Sequence, residues 1–263
     1  MGGVGKAGSL VLISSYKEYV DGDIIVKNKR ALAVVPARGG SKRLPRKNVR
    51  KLCGKPLVAY TLEAAIESAC FDKIMLNSDD EEILSIGGEY SEVDIEQRPA
   101  RLAQDTTKVL ELMCELADRE DIKKEFDVIT LLLPTCPFRR ASHIREGYEQ
   151  LVGDIDSIVS VTSYEFPPQL SIYKDEDSGL LTPVFDPCPL ITGDTRSQDQ
   201  KPIFRPNGGF YMSWISKFAV NRNYFKGKVK GYAMDRLSSV DLDDITDFEY
   251  AEFLLQNKKV PHM

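Results

Sequence analysis

Strand-like segments with apolar centres, two of them apolar at nearly every position, alternate along this chain with helical patterns. ALAVVPA (31–37), DKIMLNS (72–78), FDVITLLLP (126–134) and SIVSVTS (157–163) are the strand segments. Between them, KPLVAYTLEAAIESA (55–69), TTKVLELMCELAD (106–118) and ASHIREGYEQLV (141–152) carry apolar residues at three- and four-residue spacings, with Pro56 suited to the first turn of its helix. A strand buried on both faces needs helices on both sides of its sheet. The alternation therefore predicts an α/β fold with a mostly parallel sheet.

The rhythm breaks over residues 164–204, which are rich in Pro, Asp and Ser and read as an inserted lobe. GGFYMSWIS (208–216) restores strand character, and ITDFEYAEFLLQN (245–257) closes the chain as a helix, with Thr246 and Glu249 spaced as a capping box. Residues 1–30 read as a flexible N-terminal extension and 31–260 as the main domain. GGVGKAG near the start is no P-loop, because its glycine spacing is wrong and no strand precedes it.

In such a sheet, ligands sit outside the carboxyl ends of the strands, so the loops at that edge are the candidates. After the first strand comes PARGGSKRLPRKN (36–48). Gly39 and Gly40 allow backbone N–H groups to approach an anion, and Ser41 adds a hydroxyl donor. Arg38, Lys42 and Lys47 bring the positive charge that a triphosphate needs. Near the other end, SSVDLDDITD places Asp241 and Asp243 on either side of Leu242. In an extended segment both carboxylates face one side, where a hard cation such as Mg²⁺ relieves their repulsion. Asp244 and Asp247 read instead as charges at a helix N-terminus. A phosphate cradle with an acidic metal pair points to nucleotidyl transfer.

The net charge of −5 argues against a nucleic-acid or anionic-membrane partner, and no apolar run reaches the ~20 residues of a membrane span. The five cysteines lack paired spacing, which suits reduced thiols in the cytoplasm. With only His143 and His262, a multi-histidine metal site is excluded.

VVPARGGSKRLPRKNV resembles the signature of the acylneuraminate (CMP-sialic acid) cytidylyltransferases. The resemblance continues through NSDDEEI, RPARLAQDTT, LLLPTCPFRRASHI, FRPNGGFYM and SVDLDDITDFEYAE, covering roughly residues 31–257 in the family's order. It implies a Rossmann-like fold of nucleotidyltransferase type, with the inserted lobe making a homodimer and completing the partner's active site. It implies CTP and a nine-carbon keto-sugar acid as substrates, with Mg²⁺.

Carried onto this chain, the resemblance assigns Lys47 and Arg38 to catalysis. Ala37, Arg38, Gly39, Gly40, Ser41, Lys42, Asn48 and Arg98 are assigned to the nucleotide, and Asp241 and Asp243 to the metal. Leu133, Arg205, Asn207 and Tyr211 fall on the sugar side, where Asn207 and Gly208 also read as shaping a turn. Cys136 in PTCP reads as a packing residue. Two departures bear on the acceptor: Leu133 stands where many relatives have glutamine, and the insert reads Arg196, Ser197, Gln198 rather than Arg-Arg-Gln. Both suggest an acceptor less hydroxylated than N-acetylneuraminate, or one with apolar acyl groups. The alternatives are a 3-deoxy-octulosonate cytidylyltransferase and a non-catalytic CTP or sugar-acid binding homologue.

Overall fold

β3 (Ala31–Pro36) shows how the chain builds its centre. Odd-numbered Ala31, Ala33 and Val35 bury into one apolar cluster and even-numbered Leu32 and Val34 into another, so the strand is covered on both faces. The computed structural model describes residues 15–20, 23–104 and 106–260.

Before β3, β1 (Ser15–Val20) and β2 (Asp23–Asn28) pair as an antiparallel hairpin. The rest of the N-terminal extension, residues 1–14 and 21–22, lies outside the described residues. Lys29, within that extension, is buried, and its Nζ donates to Leu151 O at 2.7 Å. The packed domain thus begins slightly before residue 31.

After β3, β4 (Lys51–Leu52) and β5 (Lys55–Pro56) form a small ribbon that leads into α1 (Leu57–Ser68). Pro56 stands at the N-cap, just before the first turn in which it was expected. There follow β6 (Lys73–Ser78), α2 (Glu81–Gly87), β7 (Val93–Gln97), α3 (Val109–Asp118), α4 (Glu120–Glu125), β8 (Val128–Leu131), α5 (Ala141–Glu149) and β9 (Ser157–Ser163). The 164–204 insert holds a short hairpin, β10 (Ile172–Lys174) with β11 (Leu181–Pro183), and a single-turn helix, α6 (Pro189–Thr192). β12 (Phe204–Trp214), α7 (Ile215–Asn221), β13 (Val229–Ala233) and α8 (Ile245–Gln256) complete the chain.

The main sheet has seven strands in the order β13-β9-β12-β8-β3-β6-β7. β12 runs antiparallel to both neighbours, and the other pairings are parallel. From β3 the chain crosses to β6 and β7 on one side and returns to β8 on the other. The carboxyl ends of β3 and β8 therefore flank a topological switch point, where an open α/β sheet forms its binding crevice.

Helices α1 and α5 bury Val58, Leu62, Ile144 and Tyr148 on one face, while α3, α4 and α7 bury Leu112, Leu116, Ile122 and Phe218 on the other. A third apolar cluster lies above the strand ends and joins Leu44, Leu52, Phe138, Leu242 and Phe248. It packs the basic loop, the 133–138 turn, the acidic loop and α8 onto one another, which fixes the loops that line the crevice.

The cap of α8 differs from the sequence expectation. Asp244 is the N-cap, and its Oδ1 accepts from Asp247 N at 3.1 Å while Asp247 Oδ2 accepts from Asp244 N at 3.0 Å. Thr246 and Glu249 do not form the box, because the helix starts two residues earlier than their spacing requires. The reading of Asp244 and Asp247 as helix-terminus charges agrees with this geometry.

Candidate active site

A cleft of about 660 Å³ opens at the switch point, lined by Arg38, Ser41, Lys42, Lys47 and Asn48 from the basic loop. Arg98 and Leu102 line it beyond β7, Leu133 and Thr135 after β8, and Asp241 and Asp243 from the acidic loop.

The basic loop is held by its own polar groups and by the loop after β6. Asn48 is buried, and its Nδ2 donates to Arg38 O at 2.9 Å, closing the loop on itself. Arg46 takes positive φ and pairs with Asp80 and Glu82. Gly39 has a different reason to be glycine than the one its sequence suggested. A Cβ there would lie 2.5 Å from Asp80 Oδ2, and the Gly39 N–H already donates to Asp79 Oδ1 at 3.0 Å. Gly40 has open space around its α-carbon. Ala37 is fully buried and donates its N–H to Asn77 O at 3.0 Å, so it anchors the strand end instead of facing the cleft.

Lys47 reaches across to the acidic loop. Its Nζ donates to Leu242 O at 2.6 Å and lies 3.5 Å from Asp243 Oδ1. Burial lowers the ammonium pKa, while Asp243 and Asp241 oppose that effect. Arg43, which the sequence did not single out, lies on the cleft wall with Nη1 3.0 Å from Asp243 Oδ2.

The acidic segment has the alternation its sequence predicts. Leu242 is fully buried and Asp241 and Asp243 both line the cleft. Asp241 is open to solvent in the cleft yet crowded by protein. That crowding raises its carboxyl pKa, with Asp243 adding to the effect and a hydrogen bond from Thr135, together with Lys47 and Arg205, opposing it. Thr135 was missed at the sequence level. It ties the two loops together, since its carbonyl also accepts from Leu242 N at 2.8 Å. Among the described residues, no group of three or more His, Cys, Asp or Glu side chains could hold a metal ion. Two hard carboxylates facing one cleft nevertheless suit Mg²⁺, which commonly takes one or two carboxylates and completes its shell with substrate phosphates and water.

Arg98 is buried, with Nε and Nη2 donating to Asn77 Oδ1 and Asn77 O at 2.7 and 2.8 Å. Burial lowers its pKa, Asp79 opposes that and Arg38 adds to it. It lines the cleft at the end where Gln104, Thr107 and Lys108 also lie, three residues the sequence reading passed over.

On the expected sugar side the structure separates the candidates. Leu133 lines the cleft, whereas Arg205, Asn207 and Tyr211 do not. Arg205 and Tyr211 lie close enough to Asp241 to interact with its charge. Asn207 is 1% exposed and its carboxamide is committed: Nδ2 donates to Ser239 Oγ at 2.8 Å and Oδ1 accepts from Gly209 N at 3.1 Å. It therefore shapes the register shift in β12 between Pro206 and Tyr211, because no polar atom is left for a ligand. Gly208, in that bulge at φ +76°, would bring a Cβ to 3.4 Å from Leu133 Cδ1. Cys136 is fully buried, and burial pushes its thiol pKa to about 11, which fits packing. His143 is buried at the start of α5, where Nδ1 accepts from Arg140 N at 3.2 Å.

The sequence profile of the cytidylyltransferase family matches residues 32–178, more than half of the chain and the part that supplies the basic loop, Arg98 and Leu133. The chain is a member of the cytidylyltransferase family. Among its relatives is the CMP-N,N'-diacetyllegionaminic acid synthase of Legionella pneumophila, 32% identical over 230 residues, a span of 86% of this chain and 97% of the relative. The pseudaminic acid cytidylyltransferase of Campylobacter jejuni is 30% identical over 227 residues, covering 85% and 95%. Among solved structures, a CMP:2-keto-3-deoxy-manno-octonic acid synthetase complexed with CTP superposes with a TM-score of 0.63 at 15% identity, covering 87% of this chain and 99% of that one. At that identity the likeness shows the fold. No helix among the described residues is long and apolar enough to cross a membrane.

Proposed function

We propose that this cytidylyltransferase couples CTP to a nonulosonic sugar acid, giving the CMP-sugar and pyrophosphate. The observation that carries the reading is the crossing of Lys47 from the basic loop to Asp243 and Leu242 O, which brings the phosphate cradle and the acidic pair into one cleft. In this reading Arg38, Ser41 and Lys42 bind the triphosphate and Arg98 lies at the cytosine end. Gly39 and Gly40 keep the loop close to the phosphates, while Ala37 and Asn48 hold its shape. The acceptor's C2 hydroxyl attacks the α-phosphorus and gives up its proton to solvent, the bond to the bridging oxygen breaks, and pyrophosphate leaves in line. Lys47 stabilises charge at the α-phosphate. Asp241 and Asp243 would hold Mg²⁺, which when bound neutralises negative charge on the triphosphate.

Incubation with CTP, Mg²⁺ and a panel of N-acetylneuraminate, legionaminate, pseudaminate and 3-deoxy-octulosonate, followed by mass spectrometry, tests the reaction. A CMP adduct of one nonulosonate is expected, and no adduct across the panel would overturn the reading.

Leu133 bears on the acceptor. An apolar group where a hydrogen bond is expected fits a sugar acid that presents a methyl or acyl group there, in keeping with the diacetylated sugar in the name of the Legionella relative. Leu133→Gln should shift kcat/KM toward N-acetylneuraminate by about tenfold relative to the preferred acceptor, since a changed pocket contact discriminates by roughly 10–200-fold. An unchanged preference would remove Leu133 from the specificity argument.

The lobe supports a homodimer. It exposes Phe166, Tyr173, Leu180, Leu181 and Ile191, the last two at 60% and 76%, far more apolar surface than a solvated insert needs. Paired Leu180→Asp and Ile191→Asp should convert a dimer into a monomer by light scattering and reduce turnover in parallel. A wild-type monomer would contradict the assignment. All five cysteines are free thiols, which supports a cytoplasmic setting.

A further inference from the structure

Arg139 places a charge where a charge is costly. Its side chain is 2% exposed, and among the described residues no carboxylate pairs with it. Nη1 donates to Leu133 O at 3.2 Å and to Gly209 O at 2.6 Å, while Nε and Nη2 have no partner. Burial pushes its pKa down to about 10. Two orphaned donors on a buried cation are unusual in a folded protein. The two bonds that Nη1 does make are therefore what the buried charge serves.

Its two acceptors identify what it holds. Leu133 lies on the cleft wall after β8, and Gly209 lies in the β12 bulge behind it. The same two segments face each other at Gly208, where φ is +76° and an added Cβ would come to 3.4 Å from Leu133 Cδ1. Neither acceptor belongs to the basic loop or to the acidic pair. The clamp therefore acts on one wall of the cleft and leaves the triphosphate cradle untouched.

We propose that Arg139 is a positioning residue for the acceptor, setting the distance between the Leu133 segment and the β12 bulge so that the sugar acid is seated against a fixed wall. This rests on the nonulosonate reading of the cleft. A side chain that acts through the wall affects acceptor binding without changing nucleotide binding, whereas a residue needed only for folding would lower the active fraction and leave both KM values in place.

Steady-state kinetics with CTP and the preferred nonulosonate separates these cases. Arg139→Met, which keeps a long side chain but no donor, should raise the acceptor KM about tenfold or more while the CTP KM stays within about twofold. Arg139→Lys, whose ammonium can still donate to both carbonyls, should recover most of that loss. Gly208→Ala disturbs the same contact from the other side and should raise the acceptor KM alone, which keeps the test decisive if Arg139→Met does not fold. Unchanged acceptor KM in a folded Arg139→Met or in Gly208→Ala, or a parallel rise in both KM values, would overturn the proposal. Wild-type protein without acceptor-dependent turnover would instead overturn the underlying reading, and the positioning role with it.

Discussion

Lys47→Met should lose roughly 10²–10³-fold in kcat, the usual cost of removing one group aimed at developing transition-state charge. The side chain is mostly buried, donates to Leu242 O at 2.6 Å and lies beside Asp243, so its ammonium is held in place before any ligand arrives. A cation fixed in that way needs no reorganisation as charge develops on the α-phosphate. The same contacts give the variant a structural cost, and the two effects must be measured apart. Circular dichroism and CTP affinity report whether the loop survives. A folded Lys47→Met that binds CTP and turns over at near wild-type rate would exclude Lys47 from the chemistry.

The acidic pair gives the second large effect, with opposite signs in two measurements. Asp241→Asn and Asp243→Asn each remove one of two facing carboxylates, and turnover should fall by about 10²-fold or more, because losing a proposed ligand of the metal would remove several kcal/mol of charge stabilisation. The Mg²⁺ concentration needed for half-maximal rate should rise with it. Stability in the absence of metal should move the other way for Asp241. Protein crowding and Asp243 raise its carboxyl pKa above that of the unfolded chain, so the folded state gains stability as pH falls through the folded pKa and carries the ionised group at a cost above it. Asp241→Asn removes that cost and keeps a side chain able to bond Thr135, so its Tm near neutral pH should equal or exceed that of wild type. A lower Tm together with unchanged turnover would make Asp241 a structural residue.

The features legible in the sequence are those where local pattern and local structure coincide. The apolar runs at 31–37 and 126–134 could only be interior strands, and the alternation Asp241-Leu242-Asp243 determined which side chains share a face. Glycines and cations directly after a buried strand marked the crevice. Strand direction was not legible, because the two-residue period of β12 is the same whether it runs parallel or antiparallel. β13 was hard to delimit for a related reason: an edge strand such as VKGYA need not be apolar, and α4, EDIKKE, has too little apolar surface to show a period.

Within the site, sequence pattern could not show which polar atoms were already engaged. Gly39 read as an open phosphate donor, but Asp79, forty residues away, accepts its N–H. Asn207 read both as a sugar contact and as shaping a turn, and only the structure shows its carboxamide spent on Ser239 and Gly209. Arg43, Thr135 and Arg139 went unnoticed because their partners come from distant segments, joined only when the third apolar cluster packs the loops together. Long-range pairing is a property of the fold, and one sequence offers no local signal for it.

The most direct test is pyrophosphate release with Mg²⁺, comparing CTP with UTP, ATP and GTP and comparing a nonulosonate with no acceptor. Release should require both CTP and one nonulosonate and should disappear without metal. Measurable CTP binding with no acceptor-dependent release across the sugar-acid panel would contradict that expectation, and would leave the cleft as a binding site without turnover.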